Sequence, residues 1–142
     1  MTVTLYQIAE RLIGAREVSG HASNPAILAM LRLDESWPEG DDVPWCSAAL
    51  NYWCWLLRLP RSKSLAARSW LGVGTVVALD DAAEGFDVVV LSRPGAGPTA
   101  GHVGLYAGRD GDTIYLLGGN QSDRVCVAPF AASRVLGVRR LA

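Results

Sequence analysis

Hydrophobic positions in the first third of the chain recur at helical spacing. Within residues 4–14, Leu5, Ile8, Ala9, Leu12 and Ile13 share one face, and Gly14 stands where that helix would end. "EVSGHASN" reads as a loop. Asn24-Pro25 pairs a capping side chain with a proline at the first helical position, and "AILAMLRL" carries the helix on. "DESWPEGDDVP" is polar, acidic and rich in turn residues, so it is expected as an exposed loop. A longer helix is predicted from Trp45 to Leu59, stopped by Pro60, with Ala49, Trp53, Leu56 and Leu57 as its buried face. "SLAARSWLGVG" predicts a short helix capped by Ser64.

After Gly74 the pattern changes to period two and to β-branched runs. "DVVVLS" (87–92), "HVGLYAG" (102–108), "TIYLLGG" (113–119), "RVCVAPF" (124–130) and "RVLGVRR" (134–140) predict five short strands. "RDGD" between the second and third is a hairpin turn. Helices first and a meander of strands afterwards give an α+β fold with an antiparallel sheet. No repeat or linker divides the chain, so a single domain over residues 1–142 is expected.

Composition narrows the function classes. Half of the 142 residues are hydrophobic and 19% are charged, a globular balance. The net charge of −1 offers no electrostatic footprint for nucleic acid. No apolar run has the length of a membrane span, so no membrane insertion is expected. "MTVTLYQIAERLIGARE" lacks a basic start and an unbroken apolar stretch. It reads as an amphipathic helix, which implies synthesis in the cytoplasm and export, if any, by another route. Three cysteines, Cys46, Cys54 and Cys126, leave at least one free. Cys46 and Cys54 lie on one predicted helix, about 12 Å apart at ~1.5 Å rise per residue, too far for a disulfide. With no C-x-x-C pair and with His21 and His102 far apart, a zinc site is not expected.

Cys46 is the cysteine whose placement suggests chemistry. It falls in the first turn of the predicted helix, behind Pro44, where free N–H groups and the positive dipole end favour a thiolate. Cys54 is mid-helix, and Cys126 alternates with valines in a strand. A base would be His102, which opens a strand after the Gly-rich "PGAGPTAG". An orienter for its other ring nitrogen would be Asn120, at the end of the neighbouring strand and therefore at the same end of the sheet. Taken singly, each position also reads as a small core residue, a half-buried histidine and a turn asparagine. Their order, Cys, His, Asn, is what links them.

Here the residues carry a resemblance. "DDVPWCSAALNYWCW", "SLAARSWLGVG", "GHVGLYAGRDGDTIYLLGGNQSDRVCVAPF" and "SRVLGVRR" together resemble phage-type lysins of the papain-like CHAP/NlpC superfamily of cysteine hydrolases. The resemblance implies N-terminal helices packed on a five-stranded antiparallel sheet. It implies a peptidoglycan hydrolase that cuts an amide bond through a thioester, with Cys46 as nucleophile, His102 as base and Asn120 as the polar third member. Many CHAP domains have an acidic residue two positions before that Asn, where this chain has Gly118. A carboxylate from Glu17 or Asp42 is therefore an alternative. Trp45, Glu17, Asp42 and Gln121 are candidate substrate contacts. Trp45, with Trp37, Trp70 and Tyr106, would line a groove for a glycopeptide or else fill the core. No metal or organic cofactor is required. The resemblance further implies a monomer made in a host bacterium, acting on the cell wall and released by a holin. The same chemistry would serve an antibacterial effector delivered by a secretion apparatus, and a wall-binding module of the same fold without activity is a third reading.

Overall fold

A computed structural model describes residues 2–17, 24–33 and 45–142. Three α-helices come first: α1 (Leu5–Glu10), α2 (Pro25–Leu31) and α3 (Cys46–Leu56). Six strands follow: β1 (Thr75–Val77), β2 (Asp87–Ser92), β3 (Gly101–Asp110), β4 (Thr113–Gln121), β5 (Arg124–Ala131) and β6 (Val135–Arg140). They form one antiparallel sheet in the order β1-β6-β2-β3-β4-β5.

The fold is α+β as predicted, but the sheet has six strands and not five. The missed strand, β1, has three residues, too short to show an alternating pattern. Nor is the sheet a plain meander. β2 to β5 follow one another, whereas β6 returns across the sheet and inserts between β1 and β2. The "RDGD" hairpin is present, with Asp110 paired to Thr113.

Local chemistry explains the helix ends. Thr4 and Gln7 form a capping box at the start of α1. That helix stops at Glu10 and continues to Gly14 only as turns, because Gly14 N–H is drawn to Val125 O at 2.9 Å. Asn24 accepts from Ala26 N–H with Pro25 behind it, as the sequence indicates. α3 ends at Leu56, and Arg58 turns into the left-handed region (φ 57°) before Pro60. Ala49 and Trp53 are buried on α3 as expected, but Leu56 is 47% exposed, since the last turn runs past the sheet. Residues Ala67–Gly72 form a 3₁₀ helix, with Ser64 accepting from Ala66 N–H just before it.

The sheet separates two hydrophobic clusters. On one face Val88, Val90, Val103, Leu105, Leu117 and Val125 pack against Trp45, Ala49, Leu50 and Trp53 of the α3 region. On the other, Val89, Leu91, Ile114, Leu116 and Val138 are covered by Tyr106, Phe130 and Val135. A fully buried side chain of this size contributes roughly 1.5–3 kcal/mol, so the alternation along β2 and β3 fixes their register. The start of α3 is also tied down by polar contacts. Asn51 accepts from Lys63 N–H at 2.9 Å and donates to Ser64 O at 3.2 Å, while Trp70 Nε1 donates to Ser47 Oγ at 2.8 Å.

Candidate active site

Cys46 is the first residue of α3 and is 4% exposed. Its thiol receives backbone hydrogen bonds from Val103, Ser47 and its own N–H, and it feels the charge of Arg93. These favour the thiolate, as the helix-start position predicts. Burial outweighs them, and the thiol pKa is raised above its ordinary value. At neutral pH the sulfur is therefore a thiol. The contact with Val103 places it in the sheet. The β3–β4 ladder ends at Leu105–Leu117, so at Val103 only β2 is paired with β3. The thiol bonds β3 on that stretch, one residue along the backbone from His102.

His102 is 2% exposed and lies on the face of β3 opposite the Val103 side chain. Its ring stacks on Phe130, with centroids 5.2 Å apart. Nε2 is 2.9 Å from Oε1 of Gln121. The amide nitrogen of Gln121 donates to two carbonyls, Leu116 O at 3.1 Å and Cys126 O at 2.7 Å. Those two acceptors fix the orientation of the amide, so its oxygen must face the ring and His102 Nε2 must donate. Burial first, then the charges of Arg93 and Arg134, push the His102 pKa down to about 4, against the pull of the Gln121 bond. At neutral pH the ring is therefore neutral, with its proton on Nε2 and its lone pair on Nδ1. Nδ1 is buried and has no hydrogen-bond partner among the described residues. No hydrogen bond joins Cys46 Sγ to the ring.

The side chain found on the His102 ring is Gln121 and not Asn120. Asn120 sits in the left-handed region (φ 57°), and the β4–β5 pairing shifts register between Gly118 and Gln121. That bulge inverts the alternation expected from the sequence. Gln121 thereby falls on the side of Gly118, where a Cβ on Gly118 would stand 2.8 Å from Gln121 Oε1. Gly118 leaves the space that lets this side chain fold back onto His102. The Asn120 side chain makes no hydrogen bond among the described residues and lines a cavity beside the ring.

With this geometry in place, known proteins were compared. No family model matches the sequence, and no curated protein matches it. Among solved structures, NlpC1 from Trichomonas vaginalis superposes with a TM-score of 0.58 at 16% identity, over 96% of this chain and 42% of that one. The fold is NlpC-like. The chain spans less than half the length of that protein.

Within this NlpC-like fold the other predicted positions separate. Trp45 is fully buried and does not line a groove. Its ring packs on Gly119, where an added Cβ would lie 2.5 Å from it, and its Nε1 donates to Glu17 Oε1 at 2.7 Å. Trp70 is likewise core. Glu17 thus holds the residue before Cys46. Asp42, with His21 and Trp37, lies outside the described residues. Gln121, expected at the substrate, bonds His102 Nε2 and also lines the cavity beside the ring. All three cysteines are free, and Cys54, buried in α3, has its pKa pushed up to about 12. No group of His, Cys, Asp or Glu among the described residues could hold a metal ion. No described helix is long and apolar enough to cross a membrane.

Sequence reasoning missed three residues around the imidazole: Arg93, Phe130 and Arg134. Phe130 and Arg134 come from β5 and the turn after it, and Arg93 from the end of β2. No local pattern links these positions, and only the pairing of non-adjacent strands brings them to His102.

Proposed function

We propose that this protein is a cysteine hydrolase that cleaves an amide bond of bacterial peptidoglycan, with Cys46 as nucleophile and His102 as base. The observation that carries the proposal is the state of His102. A neutral imidazole is held by Gln121 with its proton on Nε2, which leaves a buried lone pair on Nδ1 without a described partner, and the helix-start thiol bonds the next residue of the same strand, Val103. A histidine serving the core alone would have both nitrogens satisfied. The NlpC-like fold and the quoted sequence pieces support the choice of peptidoglycan, and those pieces favour a phage-type lysin.

In the proposed reaction the thiol comes within reach of Nδ1 as substrate settles, since such bonds tighten only in the complex. The Sγ proton passes to Nδ1 and the sulfur attacks the amide carbonyl. The Cys46 backbone N–H supports the oxyanion. Nδ1 returns the proton to the leaving amine and a thioester remains. Water then attacks the thioester, giving a proton to Nδ1, and the carboxylate product leaves as Sγ is reprotonated. Gln121 acts as a positioning residue by fixing the ring tautomer.

The test is mass spectrometry of soluble fragments released from purified bacterial walls. New amine and carboxyl ends in the peptide, absent with Cys46→Ala, are the expected result. Intact walls after prolonged digestion by the unaltered protein would end the proposal.

A further inference from the structure

The end of α3 far from Cys46 carries a feature that the proposed chemistry does not use. Trp55 and Leu56, in its last turn, are 51% and 47% exposed, whereas Trp45, Trp53 and Trp70 are fully buried. Tyr52 leans on Trp55, with ring centroids 5.8 Å apart. An open groove of about 770 Å³ runs beside Trp55 and Leu56 and is also lined by Arg58, Arg61 and Lys63. None of its described lining residues is acidic. The charge is segregated along the chain as well. From Val43 to Leu79 there is no carboxylate, while Arg58, Arg61, Lys63 and Arg68 are cations, in a chain whose net charge is −1. Arg58 and Lys63 are exposed and make no side-chain hydrogen bond or ion pair among the described residues.

The segment that holds these cations is pinned. Leu59 N–H donates to Cys54 O at 2.9 Å, and Lys63 N–H donates to Oδ1 of the buried Asn51 at 2.9 Å. Arg58 and Lys63 both adopt the left-handed region (φ 57°), which costs a residue other than glycine. Indole, leucine and cations are thus presented together on one fixed corner.

A helix C-terminus favours a nearby cation. That accounts for Arg58, but not for an indole and a leucine left side by side in water. Exposed tryptophan and leucine beside lysine and arginine suit the boundary of an anionic bilayer. There the ring lies at headgroup depth, the leucine reaches the acyl chains, and the cations meet lipid phosphates. An anionic polymer would engage the cations and leave Leu56 in water.

We propose that this corner docks the protein on an anionic bilayer surface, through Trp55 and Leu56 in the headgroup region and Arg58 and Lys63 on phosphates. This is adsorption to a surface and not a span, and it stands apart from the hydrolase reading. Cys46 and Leu56 are the two ends of α3, about 15 Å apart at ~1.5 Å rise per residue. A protein docked by this corner holds its thiol end away from the lipid.

The test sediments the full chain with vesicles of phosphatidylcholine alone, or of phosphatidylcholine and phosphatidylglycerol at two to one. The anionic vesicles should bind at least about tenfold more tightly, and high salt should shrink the difference. Arg58→Gln and Lys63→Gln should each weaken that binding about fivefold, the effect of one cation near such a surface. Brominated acyl chains should quench the tryptophan emission of the bound protein, and Trp55→Phe should remove the quenching. Where a glutamine variant is unstable, this quenching decides. Equal binding to both vesicles, no binding at millimolar lipid, or quenching unchanged in Trp55→Phe overturns the docking site. Binding of inorganic polyphosphate without binding of vesicles assigns the corner to an anionic polymer and equally overturns it. Release of wall fragments in solution should be unaltered in Arg58→Gln, so vesicle binding and hydrolysis are read separately.

Discussion

A single side chain, Gln121, decides which nitrogen of His102 carries the proton. Replacing it with Ala frees the ring to change tautomer and strands the Leu116 and Cys126 carbonyls. Activity on walls is expected to fall by about tenfold or more, chiefly in kcat. Gln121→Glu places a carboxylate on Nε2 and favours the imidazolium, so the acid limb of the pH–kcat/KM profile should move upward. An unchanged profile in Gln121→Glu would reduce the residue to core packing. Thiol reactivity offers a second check. Cys54 is fully buried with its pKa near 12, whereas Cys126 is half-buried. Iodoacetamide at pH 8 should modify Cys126 first and leave Cys54 intact, as peptide mapping would reveal. Cys46 is also slow in the resting protein, because its thiol is buried and its pKa raised. The sequence suggested the reverse for Cys46. A helix start is visible in a string of residues, but the desolvation that overrides it is not.

The contact between α3 and β4 depends on a residue with no side chain. Gly119 lets Trp45 and Ala49 sit against the strand, and an added Cβ would stand 2.5 Å from the Trp45 ring and 2.9 Å from Ala49 Cβ. Gly119→Ala is expected to destabilise the protein by about 1–3 kcal/mol through overpacking and to lower activity by shifting Cys46. Urea denaturation would measure the first effect. Elements with local signals were legible in the sequence: the Asn24-Pro25 start, the α3 start, the hairpin at 110–113 and the five longer strands. Elements set by distant partners were not. β1 exists because Thr75–Val77 pairs with β6. The bulge at Asn120 exists where β4 parts from β3 and makes room for Trp45, and the alternation of "LLGGNQ" cannot announce a change of parity. His102 was therefore placed at the correct end of the sheet with the wrong partner beside it. The places of Cys46 and His102 in the fold were readable because a helix start and a strand start are local signals.

For the whole molecule, burial of a neutral imidazole makes stability depend on pH. The folded protein holds His102 near pKa 4, against an ordinary value of 6.5. Between these values the unfolded chain takes up a proton that the folded one refuses. Stability is therefore full above about pH 6.5 and declines as the pH falls toward 4, by about 3 kcal/mol at 1.36 kcal/mol per pKa unit. Urea midpoints across this range should show the decline, and His102→Asn should flatten it. A slope equal in both proteins would mean that carboxylates dominate acid unfolding here.

The position of β6 has its own consequence at this scale. Its residues pair with β1 on one side and β2 on the other, so the place beside the edge strand is filled by the last of the six strands in chain order. Until residues 135–140 leave the ribosome, β2 presents a bare row of amides and carbonyls, flanked by valines, to any strand nearby. The edge of β2 is thus of the kind that pairs with other chains until β6 covers it. A cell making this protein quickly would need its holding chaperones most in the seconds before that strand appears.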